Sequence, residues 1–384
     1  MPKVYVAACG DYEQHNVSAA IQKGIEALGG MDSLLGSSVN IAVKPNLLKA
    51  NKPEDCVTTH PAIVRAVLEA VTGSGRKAEV VECPSGPFTA ASLKTIYKET
   101  GIREAAQVAG ASLNFDLGHE AVMLSGPLVS ELSIANAIRR ADAVISAAKL
   151  KTHAMMTYTG AVKNLFGVVP GLSKGECHLM LPRRENFAEL IVDIAEIVKP
   201  AISVIDGVWG MEGDGPSAGE PRKIGAVIIS DSPYAADIVA GRIIGLDWRE
   251  NPIIKCAYDR GLIDPDNIET LGDDTDALRV DDFAKPKQYN VSILRGKMPY
   301  FLEKILDRKL AIYPEFDKKT CTGCATCLKC CPAGALAMKN KLPVLDKKKC
   351  INCFCCHELC PKKAVGLYRP LMLRAFSKIL KKNQ

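Results

Sequence analysis

The sequence lacks any apolar run of the roughly 18 residues that a membrane-spanning helix needs, so no transmembrane segment is expected. Its N-terminal stretch MPKVYVAACG has one lysine and too short an apolar run for a secretory signal peptide. The GK[ST] end of a Walker loop and the GxGxxG dinucleotide fingerprint are also missing, and no flavin motif is legible. Because neither a membrane span nor a signal peptide is expected, we predict a cytoplasmic protein.

Length and composition indicate a globular protein with more than one domain. Hydrophobic residues make up 47% and charged residues 24% of the chain, which are ordinary values, and they do not indicate disorder. At 384 residues the chain exceeds the length of about 250–300 residues at which a single core stops growing. At least two domains are expected.

Two cysteine-rich segments repeat each other 29 residues apart, CTGCATCLKCCP (residues 321–332) and CINCFCCHELCP (residues 350–361). The bacterial ferredoxin run is C-x2-C-x2-C-x3-C-P, and one register places a cysteine directly before Pro332 and Pro361. In two-cluster ferredoxins the fourth cysteine of each run binds the other cluster. We therefore predict two [4Fe–4S] clusters, one bound by Cys321, Cys324, Cys327 and Cys360, the other by Cys350, Cys353, Cys356 and Cys331.

Cys330 and Cys355 are left over in this register. Cys330 competes with Cys331 as the fourth cysteine of the first run, so the choice depends on the proline and on the matching second run. Zinc knuckles show a different cysteine spacing, and structural disulfides need an oxidising compartment. Neither alternative predicts three cysteines at intervals of three, twice.

Positive charge is concentrated at the C-terminal end. Residues 314–384 contain 15 Lys and Arg and 4 Asp and Glu, whereas the first 313 residues have a formal charge of −5. Each oxidised [4Fe–4S] cluster with four thiolates carries about −2, so part of this excess is needed to hold the clusters. The segment lacks the interleaved aromatics of a nucleic-acid site, and we predict no nucleic-acid partner.

Six upstream segments combine an apolar run of strand length with a polar loop and a helical period: VYVAACGD, IAVKPNLLK, AEVVECPSG, AVISAAKLKTH, ISVIDGVWG and AVIISDSPY. Short Val/Ile/Ala runs are typical of strands buried on both faces. Pro61 is placed for the first turn of one intervening helix, and Asn186 with Glu189 predicts a capping box for another. The pattern predicts an α/β fold with a mostly parallel sheet flanked by helices, plus a small α+β ferredoxin-like domain.

Ligands of open α/β sheets bind at the carboxyl ends of the strands, where polar side chains cluster in this sequence. A lone lysine is most often a solvated surface group, but several ammonium groups at adjacent strand ends favour a bound anion. A histidine there could act as an acid or base, or equally be a core or capping residue. The predicted substrate-binding residues are Lys44, Asn46, Lys49, Lys149, Lys163 and Asn164, and the predicted catalytic residues are Lys151, His153, His60 and Asp206.

The segment DGVWGMEGDGPSAGEP contains five glycines between Gly207 and Gly219 and the acids Asp206, Glu212 and Asp214. Its glycines permit the backbone to approach a ligand, and they equally permit a long surface turn. A divalent metal held by these carboxylates is a weaker alternative. Asp206, at a strand end, is the best site candidate of the three acids.

The blocks VKPNLL, KLKTH, TGAVKNLFG, DGVWGMEGDGP and SDSPYAAD, followed by paired ferredoxin runs, resemble the domain-of-unknown-function 362 (DUF362) family of iron–sulfur proteins. The resemblance implies cluster binding and an intracellular, often anaerobic setting, and it implies no particular reaction. We divide the chain into an α/β domain (1–313), a ferredoxin-like domain (314–368) and a basic amphipathic tail (369–384). The tail is expected to dock on its own protein, with peripheral membrane or partner contact as alternatives.

Two functional hypotheses follow. In the first, the ferredoxin module passes electrons to or from a small anionic substrate at the strand ends, as in a ferredoxin-fused oxidoreductase. In the second, the protein is an electron carrier or maturation partner for another protein, and the α/β domain is a docking or ligand-sensing module. A third hypothesis is that the clusters are purely structural. A sequence repeat that binds two clusters disfavours it.

Overall fold

The protein was analysed as a computed structural model, which describes residues 1–171, 173–286 and 311–368. The predicted tail at residues 369–384 lies outside the described residues. Within the described ranges, no helix is both long and apolar enough to cross a membrane.

The elements follow one another as alternating strands and helices through most of the chain. The strands are β1 (Lys3–Ala8), β2 (Asn40–Pro45), β3 (Lys77–Val80), β4 (Ser112–Leu113), β5 (His119–Met123), β6 (Glu131–Ala135), β7 (Ala143–His153), β8 (Thr157–Thr159), β9 (Ile202–Glu212), β10 (Glu220–Ser230), β11 (Glu269–Gly272), β12 (Tyr313–Phe316), β13 (Leu336–Lys339), β14 (Leu342–Leu345) and β15 (Val365–Tyr368). The α-helices are α1 (Gln14–Ala27), α2 (Met31–Leu35), α3 (Pro61–Gly73), α4 (Ala90–Glu99), α5 (Ile102–Val108), α6 (Asn136–Arg139), α7 (Ala161–Asn164), α8 (Ser173–Met180), α9 (Arg184–Val198), α10 (Pro233–Ile243), α11 (Pro252–Asp259), α12 (Thr326–Lys329) and α13 (Cys355–Glu358).

One large sheet forms the centre of the upstream domain, with the strand order β11-β1-β10-β9-β7-β2-β3-β4 and β8 paired to β7. The pairs β9–β7, β7–β2, β2–β3, β3–β4 and β1–β11 are parallel. The predicted α/β fold with a mostly parallel sheet is therefore confirmed. All six segments that the sequence analysis singled out contribute strands to this sheet.

Strand β10 runs against its neighbours β1 and β9. It follows β9 after the short connection at residues 213–219, and a connection of that length joins antiparallel strands, because a parallel crossover needs a dozen residues or more. An apolar run in the sequence does not indicate whether a strand is parallel or antiparallel to its neighbours. Strands β1, β2, β3, β7 and β9 all point the same way, so their carboxyl ends meet at one edge of the sheet.

Helices cover both faces of the sheet and bury two separate hydrophobic cores. On one face α3 starts at Pro61, with His60 as its N-cap, and buries Ile63, Val67 and neighbouring residues. On the other face α9 buries the stripe of Phe187, Leu190, Ile191 and Ile194 that the helical period predicts. Each helix therefore contributes one apolar face to a core, as amphipathic helices do.

The predicted capping box at Asn186 is wrong. Helix α9 begins at Arg184, after Arg183 in extended conformation, and no side chain caps it. An N-cap residue needs a non-helical backbone, and Asn186 already lies inside the first turn. Glu189 is consequently an interior residue of the helix.

The cysteine-rich module, here residues 311–368, folds as two copies of one unit. Strand β12 pairs with β15 and β13 with β14, so each small sheet joins strands from both repeats. Helices α12 and α13 stand at equivalent positions, each preceded by a left-handed residue, Ala325 and Phe354. The sequence repeat is thus a structural repeat.

Replacing Ile63 with Ala should lower the free energy of unfolding by about 2–5 kcal/mol, because the side chain is fully buried between α3 and the sheet. Replacing the exposed Lys94 of α4 with Ala should change it by no more than about 0.5 kcal/mol. Urea denaturation followed by circular dichroism measures both. Equal effects of the two changes would contradict the assignment of this helix face to the core.

Candidate functional site

The carboxyl ends of β2, β7 and β9 lie side by side, with β7 in the middle. Lys44 is the penultimate residue of β2, Lys149 on β7 stands opposite Asp206 on β9, and Lys151 follows two residues later. The pairing of β7 with β9 is irregular between Lys149 and Lys151. The two lysines contact different groups, and the predicted site residues accordingly divide into two sets.

A cavity of about 930 Å³ lies between this sheet edge and the cysteine-rich module. Seven of the ten predicted site residues line it: Lys44, Asn46, Lys49, Lys151, His153, Lys163 and Asn164. The module supplies the opposite wall with Thr326, Lys329, Cys330, Cys331, Cys355 and Glu358. The site is therefore shared between the two parts of the chain.

Lys44 belongs to a buried hydrogen-bond network. Its Nζ lies 2.9 Å from Oε2 of Glu82, and both side chains are almost fully buried. Glu82 also accepts from the backbone N–H groups of Leu47 and Cys83. The Asn164 amide donates to the Lys44 carbonyl, and its oxygen accepts from the Asn46 amide. The charge of Lys44 is thus neutralised within the protein.

Lys151 is 2% exposed and has no carboxylate as a direct partner among the described residues. Its Nζ donates to Oδ1 of Asn46 at 2.8 Å and to the carbonyl oxygen of Val57 at 2.5 Å. Burial lowers the pKa of Lys151 to about 7, with Lys163 adding to the effect and Glu358 opposing it. Its ammonium is therefore able to give up a proton near neutral pH.

His153 is buried at the end of β7 and lines the same cavity. Its Nδ1 accepts from the backbone N–H groups of Met155 and Met156, at 3.1 and 3.2 Å. Burial lowers the pKa of His153 well below its ordinary value. The ring is neutral, with Nδ1 occupied by the turn that follows the strand.

Lys163, on the short helix α7, is 9% exposed and lies over aromatic rings. Its Nζ is 4.6 Å from the ring centre of Phe166 and 5.8 Å from that of Phe187. Among the described residues it has no hydrogen-bond acceptor and no carboxylate within ion-pair distance. Burial lowers the pKa of Lys163 to about 8, and Lys174 lowers it further while Glu358 raises it.

Lys174 and His178 also line the cavity, and the sequence analysis missed both. Lys174 donates to the Cys83 carbonyl. His178 stacks on Phe187 with ring centres 4.2 Å apart, and its Nδ1 has no hydrogen-bond partner among the residues that the structure describes. The two residues stand four positions apart on α8, which places them on one helix face. That spacing in SKGECHLM was the signal available in the sequence.

The remaining predicted residues, His60, Lys149 and Asp206, form a second cluster that does not line the cavity. Lys149 Nζ lies 3.0 Å from Asp206 Oδ2, and both side chains are fully buried. Tyr12 donates to Asp206 and accepts from Lys149. The His60 backbone N–H donates to Asp206 as well.

The His60 ring has a structural position. It stacks on Tyr12 with ring centres 3.5 Å apart, and its Nδ1 accepts from the Ala62 N–H at the start of α3. Burial lowers the pKa of His60 to about 4. The contacts correspond to the capping histidine that the sequence analysis left open as an alternative.

The glycine-rich connection between β9 and β10 contacts the module. Ser217 donates to the Glu358 carbonyl at 2.7 Å, and Nε2 of His357 lies 3.0 Å from the Asp214 carbonyl oxygen. Lys49 donates to the carbonyls of Glu358 and Cys360, at 3.2 and 3.0 Å. Lys49 is therefore partly engaged in holding the module against the cavity.

No group of three or more His, Cys, Asp or Glu side chains in the described ranges could hold a single metal ion. The acids of the glycine-rich segment accordingly do not converge on one point, and they contact different groups. Asp206 pairs with Lys149, and Glu212 accepts from the Ala284 N–H. A [4Fe–4S] cluster differs from a single ion, because each of its four irons takes its own thiolate.

The module brings its cysteines together in two groups. Cys327 has Cys321, Cys324 and Cys360 as charged neighbours, and these four also line one small cavity. Cys356 has Cys350, Cys353 and Cys331 as neighbours, with Cys330 beside them. Each group contains three cysteines of one repeat and the fourth of the other, so the donor sets fit two four-thiolate clusters.

Backbone N–H groups point at the fourth cysteine of each run. Ala335 donates to Cys331 Sγ and Ala364 donates to Cys360 Sγ, both at 3.3 Å. Of the two extra cysteines, Cys330 donates to the Cys327 carbonyl and Cys355 is hydrogen-bonded to Cys353. None of the fifteen cysteines forms a disulfide.

Comparison with known proteins identifies both parts of the chain. Residues 41–242 match the family described as domain of unknown function (DUF362), and residues 313–361 match the 4Fe-4S dicluster domain. The thylakoid-associated protein sll1697 of Synechocystis sp. (strain ATCC 27184 / PCC 6803 / Kazusa) is 33% identical over 254 residues, which cover 65% of this chain and 77% of the relative. The predicted family resemblance and the iron–sulfur module are confirmed.

Two solved structures are more distant. The lactate racemase apoprotein from Thermoanaerobacterium thermosaccharolyticum is 12% identical, with a TM-score of 0.39 over 62% of this chain and 56% of that chain. A protein from Thermotoga maritima is 12% identical, with a TM-score of 0.34 over 53% of this chain and 52% of that chain. This chain thus spans just over half of each solved protein, and likenesses this distant do not indicate a shared activity.

Replacing Ser217 with Ala should loosen the contact between the glycine-rich connection and the module. Loss of this hydrogen bond should lower the free energy of local opening by about 0.5–1.5 kcal/mol. Backbone amides of α13 should therefore exchange with deuterium about two- to ten-fold faster. Hydrogen exchange with mass spectrometry measures this. The exposed Ser33→Ala is the matched control, and unchanged exchange in Ser217→Ala would show that this contact does not hold the module.

Proposed function

The chain belongs to the DUF362 family and contains an iron–sulfur ferredoxin domain, and we propose that it transfers electrons between that domain and a small anionic substrate. The observation that carries this proposal is the shared cavity. One wall contains Cys331, Cys330 and Cys355 of the module, and the other contains buried lysines of the α/β domain. A substrate there would lie beside both an electron source and a set of positive charges. In this role the protein would be a ferredoxin-fused oxidoreductase.

We propose that Cys321, Cys324, Cys327 and Cys360 hold one [4Fe–4S] cluster and that Cys350, Cys353, Cys356 and Cys331 hold the second. The grouping of the sulfurs and the two N–H···S contacts support this assignment. Bound clusters supply single electrons, at potentials that depend on cluster charge, hydrogen bonds and solvent exposure. Cys331 is the ligand that lines the large cavity, so the second cluster is the one nearer the substrate.

The α/β domain would bind and orient the substrate. Lys163 and Lys151 face the cavity from adjoining elements and favour a negatively charged group, since in the described part of the chain Lys163 has no hydrogen-bond acceptor and Lys151 no carboxylate partner. Asn46 and Asn164 fix the position of Lys151 through their hydrogen bonds. Burial between the two domains keeps bulk water away from these ammonium groups and strengthens their attraction for an anion.

Proton delivery is the second task of these residues. Lys151, whose pKa burial lowers to about 7, is suited to give a proton to a substrate that gains electrons. His153 lies two residues further along β7 and lines the same cavity, with Nδ1 occupied by the turn that follows the strand. We assign His60, Lys149 and Asp206 to holding the strand ends in place, because their contacts are made with one another and with Tyr12.

A second function, that of an electron carrier or maturation partner for another protein, is favoured by a different observation. Cys324, a proposed ligand of the first cluster, is exposed at the surface of the module. A partner protein docking there would approach this cluster directly. The α/β domain would then serve for docking or for sensing a ligand.

We place this activity in a reducing, cytoplasmic and anaerobic setting, since fifteen cysteines without a disulfide and oxygen-sensitive clusters suit such a setting. The cyanobacterial relative is named as thylakoid-associated. A peripheral contact of this chain with a membrane surface is therefore an additional possibility to test, for which cell fractionation is the direct measurement.

Replacing Cys356 with Ser should remove a cluster ligand, and iron should fall from about eight to about four atoms per chain. Replacing the neighbouring Cys355 with Ser should leave about eight, because this thiol is hydrogen-bonded to a ligand and is not itself one. Iron and acid-labile sulfide analysis with EPR on anaerobically purified protein measures both. Loss of iron in Cys355→Ser but not in Cys356→Ser would show that the register is wrong.

Reoxidation of the reduced protein tests the substrate site. The full chain is reduced with dithionite, the excess is removed, and cluster absorbance is followed with fractions of a small-molecule extract. A low-mass fraction should reoxidise the wild type, and Lys151→Ala or His153→Ala should slow this by about ten-fold or more with unchanged iron content.

Lys94→Ala is the matched control for loss of a lysine, since Lys94 is exposed and does not line the cavity. Reoxidation by protein fractions alone, equally fast in every variant, would support the carrier function and reject the enzyme. Loss of iron in Lys151→Ala would show that site and module are not separable.

A further inference from the structure

On the α/β side of the cavity, Lys163 is the lysine whose ammonium contacts no oxygen in the described part of the chain. Lys44, Lys49, Lys151 and Lys174 each donate to a carboxylate, amide or carbonyl oxygen. A buried ammonium without an acceptor is costly, and such groups are normally paired. Because Lys163 lines the cavity, a bound ligand would be in position to supply the missing acceptor.

A second unpartnered donor or acceptor lies in the same wall. Nδ1 of His178 is buried and has no hydrogen-bond partner within the described ranges, and Lys163 is a charged neighbour of this histidine. Phe187 contacts both side chains, since it stacks on His178 and lies beneath the Lys163 ammonium. The two unsatisfied groups are thus held together by one aromatic ring.

The side chains around Lys163 carry an excess of positive charge, which favours a negatively charged ligand. Lys44 is neutralised by Glu82, and Lys49 is held by the module. Lys151, Lys163 and Lys174 remain, and Glu358 is the acid that neighbours all three. Lys329 and Glu176 line the cavity as well, so these four ammonium groups and two carboxylates leave an excess of two positive charges among the side chains, part of which the proposed cluster at Cys331 offsets.

The types of donor favour a tetrahedral oxyanion over a carboxylate. No arginine among the described residues lines the cavity, although the planar fork of arginine is what matches a carboxylate with two parallel hydrogen bonds. Lysine and histidine are single-point donors that approach from different directions, which suits the three free oxygens of a phosphate group. A phosphate ester is also doubly charged near neutral pH, because its second pKa is about 6.

We infer that the cavity binds a dianionic, tetrahedral oxyanion group of the phosphate type at Lys163, Lys174 and His178. The inference rests on the proposed function, since it specifies the class of the anionic substrate. A cavity of about 930 Å³ is far larger than a free phosphate ion. The apolar side chains of Leu47, Ile96 and Leu179 also line it, so the group is the head of a larger organic phosphate with an apolar body.

The test uses the cluster-loaded full chain under anaerobic conditions and isothermal titration calorimetry. Phenyl phosphate and benzoate are a matched pair of probes, with the same ring and different anionic groups, and inorganic phosphate tests the head group alone. Phenyl phosphate should bind more tightly than inorganic phosphate, and about ten-fold or more tightly than benzoate. Tighter binding of inorganic phosphate than of phenyl phosphate would assign the site to the free ion and overturn the larger ligand.

Variants locate the site. Lys163→Gln should weaken phenyl phosphate binding about ten-fold or more, and Lys163→Arg should retain most of the affinity. His178→Phe keeps the stacked ring but removes the nitrogen, so it should weaken binding and still fold. Lys94→Gln, a charge change outside the cavity, should have no effect, and iron content must stay constant throughout.

The outcomes separate this inference from the proposed function. If benzoate binds as tightly as phenyl phosphate and both need Lys163, the anionic site stands and the phosphate class is wrong. If neither probe nor phosphate binds the wild type, both the class and the anionic substrate site fail. If binding is unaffected by Lys163→Gln and His178→Phe, the oxyanion site lies elsewhere and the inference is overturned.

Discussion

The burial of ammonium groups at the carboxyl edge of the sheet is the constraint on which this structure depends. An unpaired buried charge is strongly destabilising, so each lysine requires a partner at a defined place. Glu82 serves Lys44, Asp206 serves Lys149, and amide or carbonyl oxygens serve Lys151 and Lys174. These partners come from different strands and loops, which therefore have to assemble together for the edge to form.

The module completes this edge. Its main-chain carbonyls at Glu358 and Cys360 accept from Lys49, and Ser217 and the Asp214 carbonyl hold it from the glycine-rich connection. Through these contacts a side chain of the α/β domain reaches the backbone of a proposed cluster ligand. The positive edge, the cavity and the iron–sulfur domain are consequently one physical unit, and the charge of each affects the others.

Much of the fold was predictable because it follows from local pattern. Short apolar runs predict the six strands, and the helical periods of α3 and α9 follow from the spacing of Ile63 and Val67, and of Phe187 and Ile191. Lys174 and His178 were missed because their helix, α8, has only a weak apolar periodicity in the sequence. The capping box at Asn186 failed for a related reason, since suitable residue types do not fix where a helix starts.

The sequence by itself determined the iron–sulfur module, the family and the α/β class, because cysteine spacing and apolar periodicity act over short distances along the chain. Only the tertiary structure decided which polar residues act together. It separates Lys149 from Lys151, only two residues apart, and brings Lys49 to Cys360, more than three hundred residues away. Such pairings are set by strand order, by an irregularity in β7 and by the docking of the module, and none of these leaves a periodic signal in the sequence.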